Sequence, residues 1–466
     1  MKTGNLPYKF IRKNADTLTP IGIFKRLTGE QKFLLESSFE HEKKGKYSYI
    51  GSDPYLEIIG YDNVTKIVNH ETGKTTTCQQ KPLQYFQENF PQIDLDLPLP
   101  FTGGAIGYIG YDAIRQYEHI GTDLPDELDM PDVHLMVYKN LIIYEHRDES
   151  VTLITINLDE QPEPILDQRL DTLLYALQSE IDLQELDDTN VDFQADMTKE
   201  KFKDKVKRAK QLIQQGEALQ IVVSKRMKTE IKGDPFAYYR KLRITNPSPY
   251  MFYIDFGEYL IVGASPESLV QTTGNHVVTN PIAGTRPRGK TDDEDARLME
   301  ELLADDKEIA EHKMLVDLSR NDLGSVCEIG SITIPTYMSI EKYQYVMHIV
   351  SEVHGQLKKG LTSMDALIAC MPAGTVSGAP KIRAMQIINE LEDTKRGFYG
   401  GGIGYIGFNH DLNMALTIRS LVIKDGYAYL QTGAGIVHDS DLEAEFQETL
   451  HKAKSLMEAS NHDSIN

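Results

Sequence analysis

The sequence predicts an α/β fold of the α+β kind, with two large, mainly antiparallel β-sheets packed face to face and helices outside. Three observations lead there. Runs rich in β-branched and aromatic residues dominate the first 156 positions. The chain ends in further strand-like runs, YIGF, MALTIRSLVI and YAYLQTGAGIV, joined by the turn signals NHD and DG, which reads as an antiparallel meander. A glycine-rich stretch also occurs twice: GGAIGYIGYD at 103–112 and GGGIGYIGFN at 400–409 agree at seven of ten positions. That near-repeat puts a matching strand in each part of the chain and suggests two related sheets.

At 466 residues the chain exceeds the usual size of a single core, so two parts are expected. EIIGYDNVTKIVN, VHLMVYKNLIIYEH and SVTLITINL place strands in a first part, 1–156. Residues 157–198 turn acidic around one helix-like stretch, LDTLLYALQSEI, and read as a connecting segment. The second part, 199–460, opens with a polar helix, KEKFKDKVKRAKQLIQQGEA, stopped by Gly216, and the strand LQIVVSKRMKTEI. PIAGTRPRGK at 281–290 reads as a loop carrying Arg286, Arg288 and Lys290. MPAGTVSGAP leads into a helix with Pro380 near its first turn and Ala384, Ile387, Ile388 and Leu391 as its core stripe. The last helix presents Phe446, Leu450, Ala453 and Met457 as its apolar stripe.

A formal charge of −21 argues against general binding to nucleic acid or an anionic membrane. Three scattered cysteines without a CxxC pair suit a reducing compartment. No apolar run reaches the roughly 18 residues of a membrane span. A cytoplasmic protein acting on small molecules, or with protein partners, is expected.

Several constellations could carry chemistry. Glu308 and Glu311, at i and i+3, share one helix face with Leu315 beside a core, and half-buried acids call for a cation. The last helix repeats the device with Glu445, Glu448 and Lys452, an arc that by itself reads as solvated surface. Two such pairs could converge on Mg²⁺, which takes a few carboxylates and completes its shell with water and substrate oxygens. Gly433, Ala434 and Gly435 allow close approach to a carboxylate, and Arg419, alternating away from the Met414, Leu416 and Ile418 face, calls for an anion. His348 lies in an apolar run and by periodicity alone is either a hydrogen-bonded core residue or a site residue. The formal Gly402-x-Gly404-x-x-Gly407 is followed by a turn and a strand, which excludes a dinucleotide fingerprint.

Taken together and in order, EIAEHKMLVDLSRNDLG, YQYVMHIVSEVHG, PAGTVSGAPKIRAM, GGGIGYIG, ALTIRS, QTGAGIVHDS and ETLHKAK closely resemble the chorismate-utilising enzymes, over roughly residues 200–456. The family includes anthranilate, aminodeoxychorismate, isochorismate and salicylate synthases. The resemblance implies the chorismate-binding fold, with Glu308, Glu311, Glu445 and Glu448 around Mg²⁺. It implies Thr375, Tyr405, Arg419, Gly433, Ala434, Gly435 and Lys452 as substrate-binding residues. Glu267, in GASPESLV, matches the general acid that protonates the departing C4 hydroxyl, and His348 becomes a site residue of unassigned step.

Two positions speak to the reaction. Gln220 stands where water-adding relatives place an activating lysine, and Ala283 stands where aminodeoxychorismate synthases place a nucleophilic lysine, so ammonia itself must attack. LLES (Leu34 to Ser37) and NPSPYMF (Asn246 to Phe252) resemble a tryptophan feedback site, implying Glu36, Ser37, Asn246, Pro247, Tyr250 and Met251 as effector residues. The expected activity is the aminating, large-subunit reaction of an anthranilate synthase: chorismate plus ammonia gives anthranilate and pyruvate. No glutamine-cleaving segment is present, so a glutamine amidotransferase subunit is expected as partner in a hetero-oligomer. The competing readings are aminodeoxychorismate synthase and a non-catalytic tryptophan sensor.

Overall fold

The computed structural model describes residues 6–37, 46–180, 193–343 and 346–459. Positions 181–192 of the connecting segment, and the far end of the second part, lie outside the described residues. Two 12-stranded sheets form the body, and every strand pairing between neighbours is antiparallel.

The first sheet runs, edge to edge, Tyr8–Asn14, Ser150–Ile156, Asn140–Glu145, Tyr47–Gly51, Phe33–Glu36, Tyr250–Asp255, Tyr259–Ser265, Ser420–Lys424, Tyr427–Ile436, Gln220–Glu230 and Gln194–Ala195, with Gly378–Ala379 also on Gln220–Glu230. The second runs Ile282–Pro287, Val346–Gln356, His276–Thr279, Ser268–Thr273, Leu412–Leu416, Gly402–Gly407, Gly104–Ile109, Val133–Val137, Leu56–Tyr61, Val64–Asn69 and Lys74–Cys78, with Thr333–Lys342 also on Val346–Gln356. Phe33, Phe252 and Ile254 of the first sheet meet Ile106, Leu135, Ile403 and Met414 of the second in one shared core. The outer face of the first sheet is covered by helices that contribute Leu173, Phe236, Leu242, Ala453 and Leu456. The expected α/β architecture is therefore observed.

Each sheet contains strands from both parts of the chain. The near-repeat does not mark two related sheets: its two strands lie side by side in the second sheet, with Gly404 opposite Gly107. The glycines are needed by neighbouring backbone within that sheet. A Cβ on Gly107 would stand 2.0 Å from the carbonyl oxygen of His134, and one on Gly404 would stand 2.1 Å from that of Asn413.

Three other expectations change. MALTIRSLVI is two strands, Leu412–Leu416 in the second sheet and Ser420–Lys424 in the first, and residues 417–419 cross between them. PIAGTRPRGK contains a strand, Ile282–Pro287, whose pairing register shifts between Ala283 and Thr285, where Gly284 takes φ +68°. The last helix, Leu442–Glu458, is turned from its expected setting: it buries Glu445, Thr449, Ala453 and Leu456, while Phe446, Leu450 and Met457 are half-buried. Among the described residues no helix is long and apolar enough to cross a membrane.

Candidate functional site

Glu267 lies between strands Tyr259–Ser265 and Ser268–Thr273, where the chain passes from the first sheet to the second. It is buried, and Thr375 donates its hydroxyl proton to Oε1 at 2.8 Å. Burial pushes its carboxyl up to about 7, against the opposing pull of that hydrogen bond and of the Lys452 and Arg419 charges. A carboxyl in that range can hold a proton at neutral pH and give it away.

Arg419 occupies the other crossing between the sheets, at φ +48°. The left-handed region is costly for an arginine, about 1 kcal/mol, and persists because both flanking strands are fixed. Its guanidinium makes no hydrogen bond or ion pair with any described residue, and burial lowers its pKa despite the Glu267 charge. A half-buried cation without a partner among the described residues calls for an anionic ligand. Lys452 lies on the same side, donating to the Gly433 carbonyl at 3.0 Å and pairing with Glu448 at 2.7 Å. Gly433 is tight: a Cβ there would stand 2.9 Å from the hydroxyl of Tyr399.

Tyr405, expected in this group, is elsewhere. Its ring stacks on Phe101 at 4.3 Å and meets Tyr49 edge-on at 5.5 Å, between the sheets. The buried tyrosine beside Gly433 is Tyr399, six residues earlier, which also feels the Glu267 charge. Its sequence signal was its place at the head of YGGG.

His348 is buried in strand Val346–Gln356 and its Nδ1 sits 2.8 Å from the Gly284 carbonyl. A carbonyl only accepts, so Nδ1 carries the proton and Nε2 keeps its lone pair. Burial, with the Arg419 charge, lowers the imidazole to about 4, so it is neutral near pH 7. Ala283, in the neighbouring strand, packs against the group of Leu315, Leu318 and Ala379. The cations of PIAGTRPRGK bind their own surroundings: Arg288 grips Asp295 through Nε and Nη2 at 2.9 and 2.6 Å, and Arg286 reaches Asp305 at 2.8 Å and Glu308 at 3.4 Å.

The four glutamates lie on two helices, Asp306–Val326 and Leu442–Glu458. Burial raises the Glu311 carboxyl, and the Glu308 and Glu448 charges raise it further, while Gln220 donates to Glu311 Oε1 at 3.1 Å. Glu445 is buried, contrary to the surface reading of its arc. Its carboxyl is raised by burial and by Glu448, and its Oε2 has no hydrogen-bond partner among the described residues. Mutually repelling acids with an unpartnered buried oxygen suit a hard cation. As placed, no three acids among the described residues converge closely enough to coordinate an ion.

The proposed effector residues come together at the junction of the chain's two parts. Glu36 pairs with Met251 across strands Phe33–Glu36 and Tyr250–Asp255, Ser37 follows half-buried, and Asn246 and Pro247 precede the second strand. The Glu36 side chain faces the outer helix Pro235–Thr245, where Tyr239 donates to it at 2.6 Å and Arg243 at 3.2 Å. Tyr250 instead packs with the core between the sheets, as Tyr405 does.

A family model described as chorismate binding enzyme matches residues 30–458. Anthranilate synthase component 1 of Lactococcus lactis subsp. lactis (strain IL1403) is 44% identical over 452 residues, 95% of this chain and 98% of that protein. The protein of the same description from Acetivibrio thermocellus is 42% identical over 461 residues, 96% of this chain and 93% of that protein. The solved structure of anthranilate synthase component I from Streptococcus pneumoniae TIGR4 superposes with a TM-score of 0.84 at 41% identity, over 95% of this chain and 98% of that one. With a matching family model over most of its length, and two cations gathered around a buried acid, the chain belongs to the chorismate-binding enzymes.

Proposed function

We propose that the chain is the aminating subunit of an anthranilate synthase, converting chorismate and ammonia to anthranilate and pyruvate. The observation that carries this reading is the pairing of a half-buried cation with no partner among the described residues, Arg419, with a buried acid pushed up to about 7, Glu267. The cation suits a substrate carboxylate, and the acid suits a hydroxyl that cannot leave unprotonated.

In this reading Arg419, Lys452, Tyr399 and the Gly433–Gly435 backbone hold the enolpyruvyl side's carboxylate, and Thr375 keeps Glu267 aimed at the C4 oxygen. Glu267 gives up its proton, the C4–O bond breaks and ammonia adds at C2. Neither Ala283 nor Gln220 can supply a covalent nucleophile or a strong base, which leaves the attack to ammonia. Neutral His348 offers Nε2 as an acceptor in the later proton transfer. Elimination of the enolpyruvyl group as pyruvate then gives the aromatic ring. Glu308, Glu311, Glu445 and Glu448 would hold Mg²⁺, directly or through water, and the ion would neutralise the ring carboxylate.

Ammonia is delivered by a glutamine amidotransferase subunit, as the component naming of the relatives suggests, so the working enzyme is a hetero-oligomer. Tryptophan binds the effector residues of the N-terminal part, residues 1–156, where they meet the catalytic part, 199–460.

Product identification with chorismate, ammonium and Mg²⁺ tests the reading. Fluorescent anthranilate with pyruvate supports it. 4-Amino-4-deoxychorismate without pyruvate makes the chain an aminodeoxychorismate synthase, and tryptophan binding without turnover makes it a sensor.

A further inference from the structure

Glu267 borders a second space that shares none of the cationic groups above. This cavity, of about 30 Å³, is lined by Ser268, Thr279, Asn280, Ser319 and Asp322 among others. A water needs roughly 10–15 Å³ of such space and two to four polar partners, so the volume suits about two waters. Two partners stand ready: Ser268 Oγ and Thr279 Oγ1 are buried and have no hydrogen-bond partner among the described residues, an unfavourable state for hydroxyls closed off from solvent. The far wall lies on helix Asp306–Val326, where Ser319 is half-buried and Asp322 takes Lys381 at 2.7 Å with both side chains partly exposed. The cavity thus runs from the acid to groups that reach solvent.

We propose that this cavity holds a short water chain, bound by Ser268 and Thr279, that returns a proton from solvent at Ser319 and Asp322 to Glu267 after each turnover. The proposal rests on Glu267 being the general acid. Its balance is closed: Glu267 loses a proton to the C4 oxygen, which departs as water, and the amine added at C2 releases one. The carboxylate regains one through the chain. The substrate occupies the other approach to Glu267, beside Arg419 and Lys452, so recharging from behind does not wait for product to leave. The charges acting on Glu267 are those of the two cations in front, and the Asp322–Lys381 pair stands at the far wall of the cavity.

Thr279→Val removes one anchoring hydroxyl at nearly constant shape, and Ser319→Leu fills the mouth. Each is expected to lower kcat about tenfold with the chorismate KM unchanged, and to raise the solvent deuterium isotope effect on kcat. A high-resolution crystal structure of the wild-type protein should show water bonded to both hydroxyls. A dry cavity, or wild-type kcat and isotope effect in both variants, overturns the proposal. Ser268→Ala takes the place of either variant that fails to fold. Glu267→Gln separates the two levels of the argument: full turnover removes the acid itself, whereas loss of turnover beside fully active cavity variants rejects only the relay.

Discussion

Thr375 donates to Glu267 at 2.8 Å from the short helical turn Gly374–Val376, so one hydroxyl fixes the direction in which a buried acid points. Replacement of Glu267 by Gln should lower kcat by about 10²–10⁴-fold while the chorismate KM changes little, because only proton donation is removed. The acid must be protonated to act. In wild type kcat should therefore fall as pH rises through about 7. The same raised pKa has a stability consequence. Protonated Glu267 is favoured in the folded state, so its contribution is fully present below its unfolded pKa and is lost as pH climbs through about 7. Thermal unfolding should show Glu267→Gln gaining on wild type at pH 8 and not at pH 4; equal gains at both would mean the carboxyl is not shifted.

Arg419 combines a strained backbone with a half-buried charge that has no partner among the described residues. Arg419→Gly relieves both, so the melting temperature should hold or rise while the chorismate KM increases at least tenfold, the loss of a charge-assisted contact worth about 1.5–3 kcal/mol. A lower melting temperature with an unchanged KM would remove Arg419 from substrate binding.

Glu448→Gln should leave a folded protein that has lost Mg²⁺-dependent turnover. Titration of activity with Mg²⁺ and circular dichroism check the two halves of this expectation. Wild-type activity at low Mg²⁺ would take Glu448 out of the metal set.

For feedback, Ser37→Phe should relieve tryptophan inhibition and keep activity. Tyr405→Ala separates the two placements considered for that residue: its position between the sheets with Tyr250 predicts weaker inhibition, whereas a role in substrate binding predicts a higher chorismate KM. Inhibition curves and Michaelis–Menten plots on the same preparation decide.

What the sequence made legible followed from local period. Glu308 and Glu311 sit one helical turn apart beside Leu315, as their spacing requires, and helix Lys199–Gln214 stops where Gly216 takes φ +81°. Strand alternation picks out Arg419 as a cation but not as a crossing residue, because strand period reads MALTIRSLVI as one run and exchange between sheets is a tertiary event. Glu445 was misread for a related reason: helical period ranks apolar faces, and a buried carboxylate belongs to no apolar face. Tyr405 and Tyr399 stand six residues apart in one motif, and only the folded chain shows which hydroxyl meets Gly433.

The two seams between the chain's parts, Phe33–Glu36 on Tyr250–Asp255 and Gly104–Ile109 on Gly402–Gly407, close both sheets at once. Removing either part would leave two open edges in what remained. The proposed feedback would therefore not be a detachable cassette. A graft of the first part from a relative with different inhibition must restore backbone registry along both seams, including the Gly107–Gly404 pair, before its effector residues mean anything to the recipient.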